Sequence, residues 1–310
     1  MTIYLPIAEL PINILLLLGL GALGGILAGM FGIGGGFLLT PLLIFLGIPA
    51  AVAVATSTNQ IIASSVSGFL AHWHRNSVDI KMGLFLLIGG LVGAVIGVAL
   101  FTILESIGQI DLVISLIYIV FLGFIGLLMA IESGRTIWRN RNGSSAISSP
   151  VKKGRMKKFR ELPLPFQTHF PRSELTVSAI LPIATGVIAG MLVSLMGIGG
   201  GFIMIPAMIY ILGMPTGVVV GTSLFQIIFI TSLVTVLHAV NTYSVDMVLA
   251  VILIIGGVFG AQIGTAIGLR LPAEKLRWML ALIVLAVCVN LALGLLLEPE
   301  NLYSVTELEE

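Results

Sequence analysis

The sequence predicts an all-α polytopic membrane protein built from two inverted-topology repeats, each with a re-entrant or broken helix hairpin plus three spanning helices. Three observations lead to this fold class. The 310 residues are 58% hydrophobic and 9% charged, whereas about 25% of the residues of an ordinary soluble domain are charged. Eight apolar runs reach the ~20 residues that a spanning helix needs. A glycine-rich motif occurs twice in similar surroundings, which indicates an internal repeat.

Long and short apolar runs give the predicted helices. The long runs lie at residues 12–30, 50–73, 82–101, 110–131, 174–195, 216–239, 246–268 and 276–297. Two shorter runs, 37–47 and 202–213, would each cross about half of a ~30 Å hydrocarbon layer at ~1.5 Å per residue, so they are interpreted as half-helices. No Lys or Arg precedes the first run. We therefore expect a retained helix there and not a cleaved signal peptide.

The second half of the chain repeats the first at an offset of 165 to 167 residues. "GIGGGFLLTP" at 32–41 matches "GIGGGFIMIP" at 197–206, and "SVD" occurs at 77–79 and again at 244–246. Each half contains a returning hairpin and three spans, so it crosses the membrane an odd net number of times. The two halves must then run in opposite directions, an arrangement common in secondary transporters.

The positions of the basic residues predict the orientation. All fifteen Lys and Arg residues fall in three loops that share one side if each glycine-broken pair of helices returns. Positive residues accumulate on the cytoplasmic side, so both termini are expected outside a plasma (inner) membrane. The predicted domains are transmembrane repeat 1 at 1–131, a basic cytoplasmic linker at 132–173, transmembrane repeat 2 at 174–297 and an acidic extracytoplasmic tail at 298–310.

The two glycine motifs predict an anion site. Irregular backbone at membrane depth survives only where protein buries it or it lines a watery cavity, and Pro41 and Pro206 suit the first turn of a following half-helix. A helix start carries free N–H groups and about half a positive charge. Two starts that meet near the bilayer centre would bind an anion through Gly34, Gly35, Gly36, Gly199, Gly200 and Gly201. In the alternative interpretation, the glycines only permit a tightly packed turn.

Polar side chains on the next helix of each half could line the same site. These residues are Thr56, Ser57 and Gln60 in the first half and Thr222, Ser223 and Gln226 in the second. Positions four apart share a helix face, and hydroxyl and amide groups hydrogen-bond to anion oxygens. Interhelical hydrogen bonding, at about 0.6 kcal/mol each, is the alternative role. It is the preferred one for Ser64, Ser65 and Ser67, which have no matching serine in the second half.

Two histidines recur near the ends of these helices. His72 and His238 follow the glutamines by 12 residues, roughly 18 Å along a helix, which places them near opposite surfaces. Histidine titrates near neutrality, so gating or proton coupling is one hypothesis. A polar cap at the membrane interface is the other.

Glycines at every fourth position predict close helix packing. Gly89, Gly93 and Gly97 share one face of their helix, and Gly256, Gly260, Gly264 and Gly268 share a face of theirs. Small residues at this spacing let two backbones approach each other in a membrane.

Several function classes are excluded by what the sequence lacks. The single cysteine, Cys288, cannot form an intrachain disulfide or a multi-thiolate metal centre, and no cofactor or metal motif is present. Ser67 and His72 are five residues apart and do not share a helix face, which argues against an intramembrane hydrolase. The chain is therefore not expected to be an enzyme or to bind nucleic acid.

The doubled "GxGGGF" motif with its prolines and "TS" pairs resembles the sulfite exporter TauE/SafE family of membrane permeases. The resemblance extends over both halves and implies a plasma-membrane secondary transporter for sulfite, sulfonates or related small organic anions. Its implied partners are the anion, membrane lipid and a coupling proton or sodium ion. The implied site comprises the glycines, hydroxyls and glutamines named above. A passive anion channel, or an uptake permease for sulfate, thiosulfate or a carboxylate, remains an alternative.

Overall fold

The computed structural model describes residues 2–31, 34–108, 110–141, 166–268 and 273–296. These ranges contain ten helices and four short strands. The helices are α1 (Ile14–Phe31), α2 (Gly36–Phe45), α3 (Ala50–His74), α4 (Ile80–Ser106), α5 (Ile110–Arg141), α6 (Ile180–Met196), α7 (Gly201–Tyr210), α8 (Thr216–Asn241), α9 (Met247–Gly268) and α10 (Ala273–Leu296). The strands are β1 (Thr2–Leu5), β2 (Leu10–Asn13), β3 (Gln167–Phe170) and β4 (Leu175–Ser178).

Both halves have the same order of elements: a β-hairpin, a long helix, a half-helix and three further helices. The sequence did not predict the hairpins, in which β1 pairs antiparallel with β2 and β3 with β4. The helices predicted to begin near residues 12 and 174 therefore begin at Ile14 and Ile180. The second hairpin begins with the sequence QTHF, inside the segment predicted as the linker. The strands of the first hairpin are largely apolar and partly buried, Leu5 completely. An apolar run of this kind does not separate a strand from a helix.

The helices are long and apolar, as an α-helical membrane protein requires. Among the described residues, α1, α4, residues 217–241 of α8 and residues 247–267 of α9 are long and apolar enough to cross a membrane. Helix α3 has 25 residues but is less apolar than these four, because hydroxyl and amide side chains occupy its buried centre. It is the polar helix of the first half.

Helices pack reciprocally between the two halves. The first long helix of each half packs along the fourth helix of the other, α1 along α9 and α6 along α4. A Cβ built on Gly25 would lie 2.1 Å from the Gly257 carbonyl oxygen, and one built on Gly93 would lie 2.0 Å from the Val187 carbonyl oxygen. Backbones approach this closely only where side chains are absent. The predicted packing role is thus confirmed for Gly89, Gly93, Gly97, Gly256, Gly260 and Gly264.

The polar helix α3 crosses its counterpart α8 in an antiparallel direction. Thr58 Oγ1 lies 2.7 Å from Thr235 Oγ1, whereas a Cβ built on Gly68 would lie 3.0 Å from Leu224. As the residue number rises along α3, it falls along α8. The equivalent helices of the two halves therefore pack against each other in antiparallel orientation.

The predicted linker and tail lie largely outside the described residues. Helix α5 continues to Arg141 and β3 begins at Gln167, so both ends of the 132–173 segment carry regular structure. Residues 142–165 and 297–310, which include most of the predicted linker and the tail, are not among those described.

Candidate functional site

Two glycine breaks start the half-helices. Gly35 and Gly200 occupy the N-cap positions of α2 and α7 with φ of 74° and 73°, a left-handed conformation that favours glycine. The half-helices begin at Gly36 and Gly201, as predicted from the motif. The prediction that Pro41 and Pro206 lie in the first turn was wrong, because each is the sixth residue of its half-helix. Pro41 thereby removes the helical donor to the carbonyl of Phe37.

The breaks of the two halves meet. The Phe37 and Phe202 rings, one in the first turn of each half-helix, stack with centroids 5.0 Å apart and planes 9° from parallel. A Cβ built on Gly36 would lie 2.6 Å from the Gly197 carbonyl oxygen. The structure thus brings Gly34, Gly35 and Gly36 next to Gly199, Gly200 and Gly201.

Ile61 fills the space between the breaks. A Cβ built on Gly36 would lie 2.3 Å from Ile61 Cδ1, and one built on Gly199 would lie 2.6 Å from Ile61 Cγ2. The side chain is completely buried. Ile61 therefore occupies the space between the half-helix starts in this conformation. Sequence reasoning missed this residue, although "QII" recurs at 60–62 and 226–228.

Gln60 and Gln226 stand out among the predicted lining residues. Their side chains are 0% and 1% exposed, yet neither amide nitrogen nor amide oxygen has a hydrogen-bond partner within the described part of the chain. A Cβ built on Gly257 would lie 2.5 Å from Gln60 Nε2, so this amide lies against the close contact of α1 with α9. Each glutamine keeps its full hydrogen-bonding capacity for another group.

The hydroxyls predicted with the glutamines are engaged within the protein. Thr56 Oγ1 accepts from the Asp246 N–H at 3.0 Å, and Thr222 Oγ1 accepts from the Asp79 N–H at 2.9 Å. Ser57 Oγ donates to the carbonyls of Val54 and Gly197, and Ser223 Oγ donates to that of Val220. These four side chains hold backbone in place in this conformation.

Residues near the breaks that sequence reasoning did not select also contribute. Thr40 Oγ1 lies 2.8 Å from Ser57 Oγ, and the Tyr118 hydroxyl donates to the Met196 carbonyl. Ser65 Oγ is buried without a partner among the described residues, whereas its counterpart Thr231 donates to the Ile227 carbonyl at 2.7 Å. At this pair of equivalent positions, the first half has a hydroxyl without a partner among the described residues and the second half has an engaged one.

The two histidines have different surroundings. His238 is buried; its Nε2 donates to the Ser194 carbonyl at 3.1 Å and its ring meets Phe101 edge-on with centroids 4.5 Å apart. His72 is partly exposed, and its Nδ1 lies 3.0 Å from Ser77 Oγ. Neither histidine has a hydrogen bond to the glycine breaks among those of the described residues. Their predicted gating or coupling role stays a prediction.

Comparison with known proteins gives the family. The model of the family described as "Sulfite exporter TauE/SafE" matches residues 17–291, a range that includes both glycine breaks, both glutamines and both histidines. The chain belongs to the TauE/SafE family. This confirms the resemblance found in the sequence and makes the chain a membrane transporter by family.

Relatives of this TauE/SafE protein occur in bacteria, archaea and plants. It is 28% identical to the probable membrane transporter protein YjnA of Bacillus subtilis over 86% of this chain and 94% of that one. It is 27% identical to the probable membrane transporter protein MJ0441 of Methanocaldococcus jannaschii over 87% and 91%. The Arabidopsis thaliana sulfite exporter TauE/SafE family protein 3 is 30% identical over 35% and 24%. No solved structure matches the chain significantly.

Two aspartates of the TauE/SafE fold tie the hairpins to the helices of the opposite half. Asp79 Oδ1 caps α4 at Met82 N, and its Oδ2 accepts from Ser173 N and Oγ at 3.0 and 2.5 Å. Asp246 Oδ1 caps α9 at Leu249 N, and its Oδ2 accepts from Ile7 N at 2.9 Å. The aspartate of each "SVD" sequence thus has the same role, which is to cap a helix and to hold the hairpin turn of the other half. Within the described ranges, no group of His, Cys, Asp or Glu side chains could hold a metal ion.

Proposed function

We propose that this TauE/SafE protein is a secondary transporter that binds sulfite, a sulfonate or a related small organic anion near the bilayer midplane. In this proposal the anion lies beside the two half-helix starts and accepts hydrogen bonds from Gln60 and from Gln226 in turn. The family match supports a membrane transporter. The proposed substrate, binding site and mechanism go beyond what the family match supports.

The observation that carries the proposal is the pair of buried, unpartnered amides. Leaving a buried polar group without a hydrogen bond costs about 1–3 kcal/mol, and buried polar groups in proteins nearly always have partners. A solute would supply the missing partners. The amide Nε2 of each glutamine has two N–H donors for anion oxygens, and the predicted spans contain no Lys or Arg at their centres. A site of neutral donors holds an anion without burying a permanent cation.

The packing supports an inverted repeat. Equivalent helices α3 and α8 cross antiparallel, and α1 packs along α9 as α6 packs along α4. Two halves related by a two-fold axis in the membrane plane would pack in this way. With the fifteen basic residues on the cytoplasmic side, both termini lie outside and residues 132–173 lie inside.

The placement of Gln60, Gln226 and Ile61 supports alternating access as the mechanism. The contacts of Thr58 with Thr235 and of Gly68 with Leu224 set the register of α3 and α8. In that register the glutamines are separated by roughly 10 Å along the helices, at 1.5 Å per residue. Each of the two glutamines would receive the anion from a different side of the membrane. Ile61, between the breaks, would close the passage until the anion is bound.

A ligand screen tests the substrate. The purified protein is heated with sulfite, sulfate, thiosulfate, sulfoacetate, taurine or a carboxylate, and the substrate is expected to raise the unfolding temperature because it binds the native state alone. A protein that no anion stabilises would contradict the proposal.

Counterflow in proteoliposomes then tests the mechanism. A carrier exchanges labelled for unlabelled anion and saturates with concentration. A flux that rises linearly with anion concentration, with no counterflow, would contradict the carrier mechanism and favour the anion channel. Saturable uptake of sulfate, thiosulfate or a carboxylate in preference to sulfite would instead favour the uptake permease.

A further inference from the structure

We propose that a pocket on the Lys- and Arg-rich face binds the phosphate headgroup of an anionic phospholipid. The pocket has a volume of about 240 Å³ and lies between the α3–α4 loop and the β3–β4 turn. Trp73, Ile80 and Lys81 line it from the helices, and Arg172 lines it from the turn. Residues 91 positions apart in sequence thus place two cationic side chains around one cavity.

The two cations of the pocket are not neutralised within the described part of the chain. Lys81 Nζ donates to the His169 carbonyl at 2.8 Å, and Arg172 donates to the Asn76 carbonyl at 2.7 Å and to its Oδ1 at 3.3 Å. All three acceptors are neutral. The Asp79 carboxylate in the pocket wall accepts hydrogen bonds from Met82 and Ser173, and it opposes the two positive charges with one negative charge. An anion in the pocket would face positive charge from both sides.

The fold does not require these charges, because the equivalent junction between the two halves, around Asp246, lacks them. The same aspartate cap and hairpin turn occur around Asp246. Lys81 of the first half corresponds to Val248 of the second, and Arg172 of the second half corresponds to Ile7 of the first. The hairpin docks there without any cation. Lys81 and Arg172 are therefore available for a ligand on their own face.

A lipid fits the pocket better than free phosphate does, because an apolar surface continues from it. Trp73 and Ile80 in the pocket are 47% and 41% exposed, and Leu84 and Ile88, one and two turns further along α4, are 46% and 54% exposed. Acyl chains would lie along this stripe while the phosphate meets the cations. Trp, Lys and Arg are the residues typical of this depth of a membrane.

Lipid titration tests the proposal. The unfolding temperature of the detergent-purified protein is measured with added phosphatidylglycerol, with phosphatidylcholine and with glycerol phosphate. We expect a larger rise with phosphatidylglycerol than with the other two. In Lys81→Gln/Arg172→Gln, the apparent affinity for phosphatidylglycerol should fall roughly 30-fold, from about 1 kcal/mol per basic residue.

Lys275→Gln is the matched control, because it removes a positive charge from another of the three basic loops. It should leave the preference for phosphatidylglycerol as in the wild type. Equal stabilisation by both lipids, an equal rise with glycerol phosphate, or a double variant with the full preference would each overturn the proposal. None of these outcomes touches the anion site, since transport of the double variant in phosphatidylcholine is measured separately.

Discussion

Gln60 and Gln226 combine complete burial with amide groups that have no partner among the described residues. The sequence predicted both, because each recurs four residues after a repeated threonine. It could not distinguish them from Thr56 and Thr222, since only the fold decides that the threonine hydroxyls accept hydrogen bonds from Asp246 and Asp79. Sequence periodicity identifies a polar helix face but not which members of that face are satisfied.

Replacing either glutamine by leucine should separate binding from stability. In Gln60→Leu or Gln226→Leu the unfolding temperature without ligand should stay level or rise, because an apolar group replaces an unpaired amide. Stabilisation by the substrate anion and counterflow should both be lost. The control is Thr58→Val, which removes a hydroxyl bonded to Ala55 and Thr235. It should lower the unfolding temperature and preserve counterflow, and the opposite pattern would contradict the assignment.

Shortening Ile61 should ease passage between the breaks. Ile61→Val removes one methylene next to Gly36 and Gly199, at a stability cost of about 0.5–1.5 kcal/mol. We expect faster counterflow at saturating anion. Ile230→Val is the control, because this equally buried residue contacts Gly90 on α4 and lies away from the breaks. Equal rates in the wild type and in Ile61→Val would remove the gate from the mechanism.

At the level of elements, the glycine-lined contact of α1 with α9 gives a matched pair of substitutions on one helix. A Cβ at Gly25 would meet the Gly257 carbonyl oxygen at 2.1 Å, whereas one at Gly19 has no neighbour within 4 Å. Gly25→Ala should therefore destabilise the fold by about 1–3 kcal/mol through overpacking. Gly19→Ala should stabilise it by up to about 1 kcal/mol through helix propensity. Unfolding temperatures in detergent measure both, and equal values would argue against the close contact.

The aspartate caps make a second prediction about elements. Asp79→Ala removes the cap of α4 and the acceptor for Ser173, so we expect a loss of about 2–4 kcal/mol. Limited proteolysis should then cut the β3–β4 turn faster. Glu174→Gln changes an exposed acid in the same turn, and its stability should stay within about 0.5 kcal/mol of the wild type. Unchanged proteolysis in Asp79→Ala would show that the hairpin does not depend on this carboxylate.

At the scale of the whole molecule, the sequence predicts those parts of the architecture that occur in both halves. The doubled motif gave the two halves and their half-helices, and the four-residue glycine spacing gave the close helix contacts. The first β-hairpin was missed because Leu10–Asn13 runs into the apolar stretch of the next helix. The second was missed because Gln167–Phe170 lies in a polar segment that was predicted to be a linker. The doubled motif also predicted that the two breaks meet, as Gly36 and Gly197 do. No local pattern showed that Ile61 fills the space between them.

The inverted arrangement of the halves leads to a prediction that two equivalent residues can test. Glu9 and Glu174 occupy the same place in the two hairpin turns, both exposed and both with left-handed φ, 54° and 50°. Halves related by a two-fold axis in the membrane plane place these turns on opposite sides. In a Cys288→Ala background, a membrane-impermeant maleimide added to intact cells should label Glu9→Cys at once and Glu174→Cys only after the membrane is opened. Labelling of both from outside would mean that the hairpins share a side, and the inverted repeat, the orientation set by the basic loops and the two-sided anion path would all have to be abandoned.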